Sequence, residues 1–123
     1  MTADELRDLC LSFPGSEQTF PFDAATSVFK VAGKMFALSA LELAPLQVAL
    51  KCEPALAEQL RDTHPEIVPG YHLNKRHWNS VALEGGLSDA LVRDLVEDSY
   101  DLVVSGLSPA RQRELRWRPD VAG

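Results

Sequence analysis

Apolar side chains recur at helical spacing at both ends of the chain and alternate with polar ones in its middle. Leu6, Leu9, Cys10 and Phe13 fall at i, i+3, i+4 and i+7, one face of a helix. Thr2 and Glu5 stand where a capping box needs them, hydroxyl and carboxylate each satisfying a free backbone N–H, and Pro14-Gly15 stops the run. The spacing predicts a helix over 3–13. Ser16 to Thr26 contains Pro21 and has no clean period, so it reads as a loop that carries Phe20 and Phe22 onto the core. Val28–Val31 and Lys34–Leu38 are β-prone runs flanking Ala32-Gly33, where glycine supplies the positive φ of a tight hairpin turn. Leu46 to Lys51 alternates: Leu46, Val48 and Leu50 face one side, Gln47, Ala49 and Lys51 the other. One face of the sheet is thereby expected to be buried and the other wet.

Pro54 suits the first turn of a second helix running to about His64, with Leu56 and Leu60 inward. The stretch from Val68 to Asn79 is too polar for a core element and too aromatic for an idle loop. Ser80–Leu83 reads as a further strand, closed by Glu84-Gly85-Gly86. A last helix starts at the Ser88 cap and runs to about Gly106. Leu91, Val92, Leu95, Val96, Leu102 and Val103 form its inner stripe, and Asp94, Glu97, Asp98 and Asp101 its solvated side. No repeat or interdomain linker interrupts the chain, which divides into one domain over 1–107 and an arginine-rich tail over 108–123, expected to be loosely held. The class is α+β. The helices at 3–13 and 88–106 each carry one apolar stripe and should pack on the same side of an antiparallel sheet.

Composition narrows the function classes. Over 123 residues, 46% hydrophobic and 24% charged is globular usage, which excludes a disordered tail or a rod. No run approaches the roughly 18 apolar residues of a membrane helix. Met1 to Glu5 carries acid where a secretory signal would carry lysine or arginine, so a soluble, cytoplasmic protein without membrane contact is expected. Cys10 and Cys52 fit no metal spacing and no disulfide framework and are expected as free thiols. The net charge is −6. As a whole that opposes non-specific nucleic-acid binding, which needs Lys and Arg to neutralise phosphates. The charge is uneven: residues 1–24 carry −4 and 83–106 carry −5, while 25–52, 71–82 and 107–123 each carry +2. Local fields can therefore differ in sign from the total.

Enzyme and metal templates find little to match. Gly85-Gly86 stands alone, without a phosphate loop's spacing, and no nucleophile elbow singles out a serine. His72 and His77 are five apart and do not share a helical face, so no metal or cofactor is assigned. Cys52 beside Lys51 invites a lowered thiol pKa, against which stands a buried thiol at a strand end. The remaining cluster is Tyr71 to Asn79. Lys75 and Arg76 offer phosphate contacts, His72, Asn74, His77 and Asn79 offer hydrogen bonds, and Tyr71 and Trp78 offer stacking surfaces. The competing reading makes Tyr71 and Trp78 core residues and lets the polar groups tie down an irregular loop.

These segments resemble the MmcQ/YjbR family of small bacterial proteins over roughly residues 3–107. The resemblance rests on Val28-Phe29-Lys30-Val31 with Gly33-Lys34-Met35-Phe36, on Lys51-Cys52-Glu53-Pro54 and on Ser99-Tyr100-Asp101-Leu102-Val103. Its most specific block is Pro69-Gly70-Tyr71-His72-Leu73-Asn74-Lys75-Arg76-His77-Trp78-Asn79. It implies an α+β fold of frataxin-like, double-wing type, with helices on one face of an antiparallel sheet. It also implies a non-enzymatic DNA-binding module, as a transcription accessory. Lys30, Lys34 and Lys51 on the sheet would join Lys75, Arg76 and the Tyr71–Asn79 segment on the phosphate backbone. The alternative is a protein- or small-ligand-binding module with a pocket of His72, His77, Trp78 and Asn79 and no nucleic-acid role. A continuous positive strip would favour DNA, and a concave pocket of mixed polarity would favour a ligand.

Overall fold

The capping box forms: the Thr2 N–H donates to Glu5 Oε1 at 3.0 Å, and the Glu5 N–H to Thr2 Oγ1 at 3.1 Å. It opens α1 (Ala3–Ser12), whose buried side chains are Leu6 and Cys10. The computed structural model describes residues 1–70 and 73–117. After α1 come β1 (Ser16–Thr19), β2 (Ser27–Val31), β3 (Lys34–Ser39) and β4 (Gln47–Lys51). Then follow α2 (Pro54–Thr63), β5 (Ile67–Pro69), β6 (Trp78–Ala82), α3 (Asp89–Ser105) and α4 (Pro109–Glu114). The strands form one antiparallel sheet in the order β1-β2-β3-β4-β6-β5. Ala32 joins Gly33 at positive φ (50° and 77°), the conformation a two-residue hairpin turn needs in both central positions.

Leu6 and Cys10 of α1 and Val92, Val96, Tyr100 and Val103 of α3 meet Phe29, Val48, Leu50 and Val81 in one core. Both helices thus lie on the same face of the sheet, as their single apolar stripes predict. Three aromatic rings join them there. Phe13 stacks on Tyr100 at 4.7 Å between centroids, and Phe36 meets Tyr100 edge-on at 5.4 Å. The Tyr100 hydroxyl donates to the Pro14 carbonyl at 2.6 Å. In α3 the buried set is Val92, Leu95, Val96, Ser99, Tyr100, Val103 and Val104, so the stripe includes a serine and a tyrosine, while Leu91 and Leu102 are only half-buried.

A bulge explains the serine. Phe29 pairs with Ala37 but Lys30 with Met35, so β3 carries one extra residue and both Phe36 and Ala37 are buried in the core. Pairing with β4 then covers Ala37↔Leu50 and Leu38↔Ala49, and the next rung, Phe36 against Lys51, is open. Ser99 fills it: its hydroxyl accepts from the Lys51 N–H at 2.9 Å and donates to the Phe36 carbonyl at 2.6 Å.

Several expectations are corrected. Ser16–Thr19 is an edge strand pairing with β2, and Phe20 and Phe22 are 51% and 62% exposed instead of lying on the core. Val68 belongs to a short edge strand, β5, that ends at Pro69, a residue an edge tolerates because no ladder donor is lost there. On α2 the buried residue is Ala57; Leu56 is exposed and Leu60 half-buried. The tail is docked as far as Trp117. Gln112 Nε2 donates to the carbonyls of Val104, Ser105 and Leu107, and Trp117 Nε1 donates to Asp101 Oδ1 at 2.8 Å. Leu115 packs over Gly15, where a Cβ would come within 2.5 Å of its Cδ2. Arg118 lies outside the described residues. None of the described helices is long and apolar enough to cross a membrane.

Ser99→Ala should lower stability by about 1–3 kcal/mol in urea unfolding, because it leaves a buried N–H and a buried carbonyl without partners. Burial alone pushes the Cys10 thiol from its ordinary 9.0 up to about 12. An acid whose pKa is raised by folding stabilises fully below its unfolded value. That contribution should fade as pH rises from 9.0 towards about 12, and Cys10→Ala should flatten the fall measured by denaturant titration at each pH.

Candidate functional site

The segment between β5 and β6 is held by its own polar groups. The Gly70 N–H donates to the Trp78 carbonyl at 2.9 Å. A Cβ on Gly70 would stand 2.9 Å from Trp78 Cβ and 3.1 Å from its carbonyl oxygen, so the two strands meet at a distance only glycine allows. Asn74 Oδ1 accepts from the Arg76 N–H at 2.9 Å, a side-chain turn that asparagine is suited to make. The Asn74 carbonyl accepts from the His77 and Trp78 N–H groups, and the His77 carbonyl from Cys52. Asn79 is buried on the helical face. It accepts from Arg61 Nη1 at 2.8 Å and donates to the Ala57 carbonyl at 3.3 Å, and Arg61 also reaches the Lys75 carbonyl. Asn74 and Asn79 are therefore framework groups: their amides fix the turn and bind α2 to β6.

Trp78 and Asn79 are consecutive in β6 and point to opposite faces, Trp78 beside Lys51 and Asn79 beside Leu50. Of the pocket expected from His72, His77, Trp78 and Asn79, the last two therefore do not share a face. Tyr71 and His72 lie outside the described residues. Trp78 is itself buried, and His77 half-buried.

The predicted cations do gather. Lys30 and Lys34 flank the β2–β3 turn, Lys51 ends β4, and Lys75 and Arg76 lie in the turn before β6. Because the strands run antiparallel, those four points are at one end of the sheet. Lys30 and Lys51 are on the face away from the helices, Lys34 beside the core-facing Val31. Among the described residues none of these five makes an ion pair. Glu17 stands directly opposite Lys30 in the β1–β2 ladder, so the strip is interrupted on that side.

The sequence reading missed a cleft of about 600 Å³ on the face away from the helices. Its floor is Leu38, Ala49, Ser80 and Gln47 from three adjacent strands. Phe22, Asp23 and Thr26 form one wall, Leu43, Ala44 and Pro45 another, and Leu73 a third. Phe22 and Leu43 are 62% and 61% exposed, large apolar groups at its rim. The signal for it was present in the alternation of β4, which leaves Ala49 between Gln47 and Lys51, and in two phenylalanines within a loop that had no helical face to bury them.

Chemistry elsewhere is muted. Burial, followed by the charges of Asp98 and Glu53, raises the Cys52 thiol above its ordinary value, so it is not an activated thiolate. Cys52 is half-buried rather than in the core, and both cysteines are free. The void beside it, about 20 Å³, has room for a single water. Among the described residues no three His, Cys, Asp or Glu side chains come together as a metal site requires.

The profile of the YjbR family matches residues 11–102. The chain is 40% identical over 116 residues to an uncharacterised protein, YjbR, of Escherichia coli strain K12, covering 94% of this chain and 97% of that one. It is 41% identical over 108 residues to another, YbdF of Escherichia coli O157:H7, covering 88% of each. The crystal structure of Deinococcus radiodurans protein DR2400, with its DUF419 domain, superposes at a TM-score of 0.90 and 42% identity. That match covers 99% of this chain and 93% of the other, so it runs on through α4. A Pseudomonas syringae crystal structure matches at a TM-score of 0.71 and 28% identity over 83% of this chain and 98% of its own. On the strength of the profile, the relatives and the shared fold, this chain belongs to the YjbR family.

Proposed function

We propose that this protein is a non-enzymatic binding module that takes a small, largely apolar ligand on its helix-free sheet face. The observation that carries this reading is the cleft of about 600 Å³, a size typical of small-molecule sites. Its floor and rim combine apolar Leu38, Ala49, Phe22 and Leu43 with a few polar groups, Thr26, Gln47 and Ser80. Exposed Phe22 and Leu43 gain most by being covered, at roughly 25 cal/mol per Å² of apolar surface removed from water. Chemical-shift mapping with indole as the probe tests it. The amides of Leu38, Ala49 and Ser80 should move together, and Ala49→Trp, which fills the floor, should weaken the effect at least about tenfold while the variant still melts cooperatively. Shifts scattered over the surface, or unchanged in Ala49→Trp, would overturn it.

A second reading is favoured by the gathering of Lys30, Lys34, Lys51, Lys75 and Arg76 at one end of the sheet: weak binding of the duplex DNA backbone, in the role of a transcription accessory. Two to four phosphate contacts give a log–log salt slope of magnitude about 2–4, and Lys75→Glu with Arg76→Glu should remove about 2 of it. Fluorescence anisotropy with a labelled duplex at low and moderate salt measures this. A folded protein that binds no duplex at the lower salt ends that reading.

A further inference from the structure

We infer that the ligand of this face is an amphipathic anion, its apolar body over Leu38 and Ala49 and its carboxylate, sulfonate or phosphate turned toward Lys51. The inference deepens the cleft reading and rests on it.

The argument is the polarity of the face along its strands. At one end the cleft wall carries Asp23, whose carboxylate accepts from the Ala25 N–H at 2.8 Å, the Thr26 N–H at 2.7 Å and the Thr26 hydroxyl at 3.2 Å. Those bonds, the two backbone ones foremost, hold Asp23 below the usual carboxylate range, so this end stays negative near neutral pH. The middle is Leu38 against Ala49 against Ser80, three neighbours in successive strands. Two residues further along β4, about 6.6–6.8 Å, stands Lys51 on the same face. A lysine stem is long enough to lie back along that distance over apolar surface while its ammonium meets an anion. Lys30 takes the corresponding place on β2, two residues on from Val28, although Glu17 opposite it offsets part of its field. Two acids stand near Lys51 and offset part of its field: Asp98 of α3, which lines the same small void from the helical side, and Glu53, the N-cap residue of α2, whose side chain makes no cap bond.

An elongated ligand on this face therefore has a preferred direction. An anionic head is repelled at the Asp23 end and attracted at the Lys51 end, a cationic head the reverse, and a neutral one neither. The cation-lined end carries more charge than the single aspartate, so the anion is favoured over the cation. A polynucleotide lacks the apolar body that the floor between those ends would cover.

The full-length chain titrated with anilinonaphthalene sulfonate provides the readout, with decanoate, decanol and decyltrimethylammonium as competitors. Decanoate should displace the probe at a concentration about fivefold lower than decanol, with the cation weakest. Lys51→Glu should weaken decanoate about fivefold and leave decanol unchanged. Arg93→Glu, at an exposed position of α3, makes the same change in net charge on the other side of the sheet and should alter none of the three. Equal displacement by all three competitors overturns the inference, as does an effect of Arg93→Glu equal to that of Lys51→Glu. Release of the probe on self-association, seen by sedimentation, also overturns it, because a second copy would then be the occupant. Ala49→Trp separates the two levels. If it leaves probe binding intact, the cleft reading itself falls; if it abolishes binding while decanoate and decanol compete equally, only the anion falls.

Discussion

A single hydroxyl fixes where α3 sits against the sheet. The extra residue in β3 buries both Phe36 and Ala37 in the core, and the cost is a broken rung opposite Lys51. An unpaired buried N–H and carbonyl would cost about 1–3 kcal/mol. Ser99 satisfies both from the middle of α3, so the helix is fixed at the one height and face where its hydroxyl meets the gap. One residue later, Tyr100 stacks on Phe13 and reaches the Pro14 carbonyl, which draws the end of α1 onto the same side. With α1 and α3 both committed there, no helix remains to cover Leu38, Ala49 and Ser80. The cleft lies on that uncovered face, walled by loops alone.

The block that carries the family resemblance is then mostly architecture. Gly70 and Trp78 are matched by close contact, Asn74 shapes the turn, and Asn79 is consumed by Arg61 and Ala57. Such a run is specific because a buried amide and a glycine approach tolerate few replacements, whatever the segment binds. Among its described residues, the charged groups it presents outward are Lys75 and Arg76, held on a turn whose backbone Arg61 braces from α2. Specificity of sequence and site of function thus separate within one stretch of chain.

The elements with strong local signals were legible. Capping box, hairpin turn, the alternation of β4 and the stripe of α3 each follow from spacing, and together they place the helices correctly. The parts that were not legible depend on distant partners. Ser16–Thr19 has no period of its own and becomes a strand because β2 offers it an edge. Ala57 is buried ahead of Leu56 because α2 meets the sheet through Asn79, at close range, where a small side chain fits. The tail docks through Gln112 and Trp117, whose acceptors lie on α3 and just beyond its end. For the site, the sequence named the cations but not their common end of the sheet, which follows from the antiparallel strand order, nor the cleft, whose walls come from three loops that no local pattern brings together.

The two readings of the face differ in which electric field the partner samples. A duplex is longer than this protein and meets its charge as a whole, −6, with the acidic stretch 83–106 contributing −5. The cations at the β2–β3 turn and the start of β6 span about 14–15 Å across four strands, at 4.7–4.9 Å per strand, which is room for few phosphates. A small anion lying against Lys51 is largely screened from solvent-exposed charges beyond about 8 Å at physiological ionic strength. It feels chiefly the lysines of its own face, and from α3 the carboxylate of Asp98, which lines the same small void as Lys51. An acidic protein with a local cationic edge beside an apolar floor is therefore better matched to a small amphipathic anion than to a polyanion. The sign of the total charge, which weighs against the second, leaves the first almost untouched.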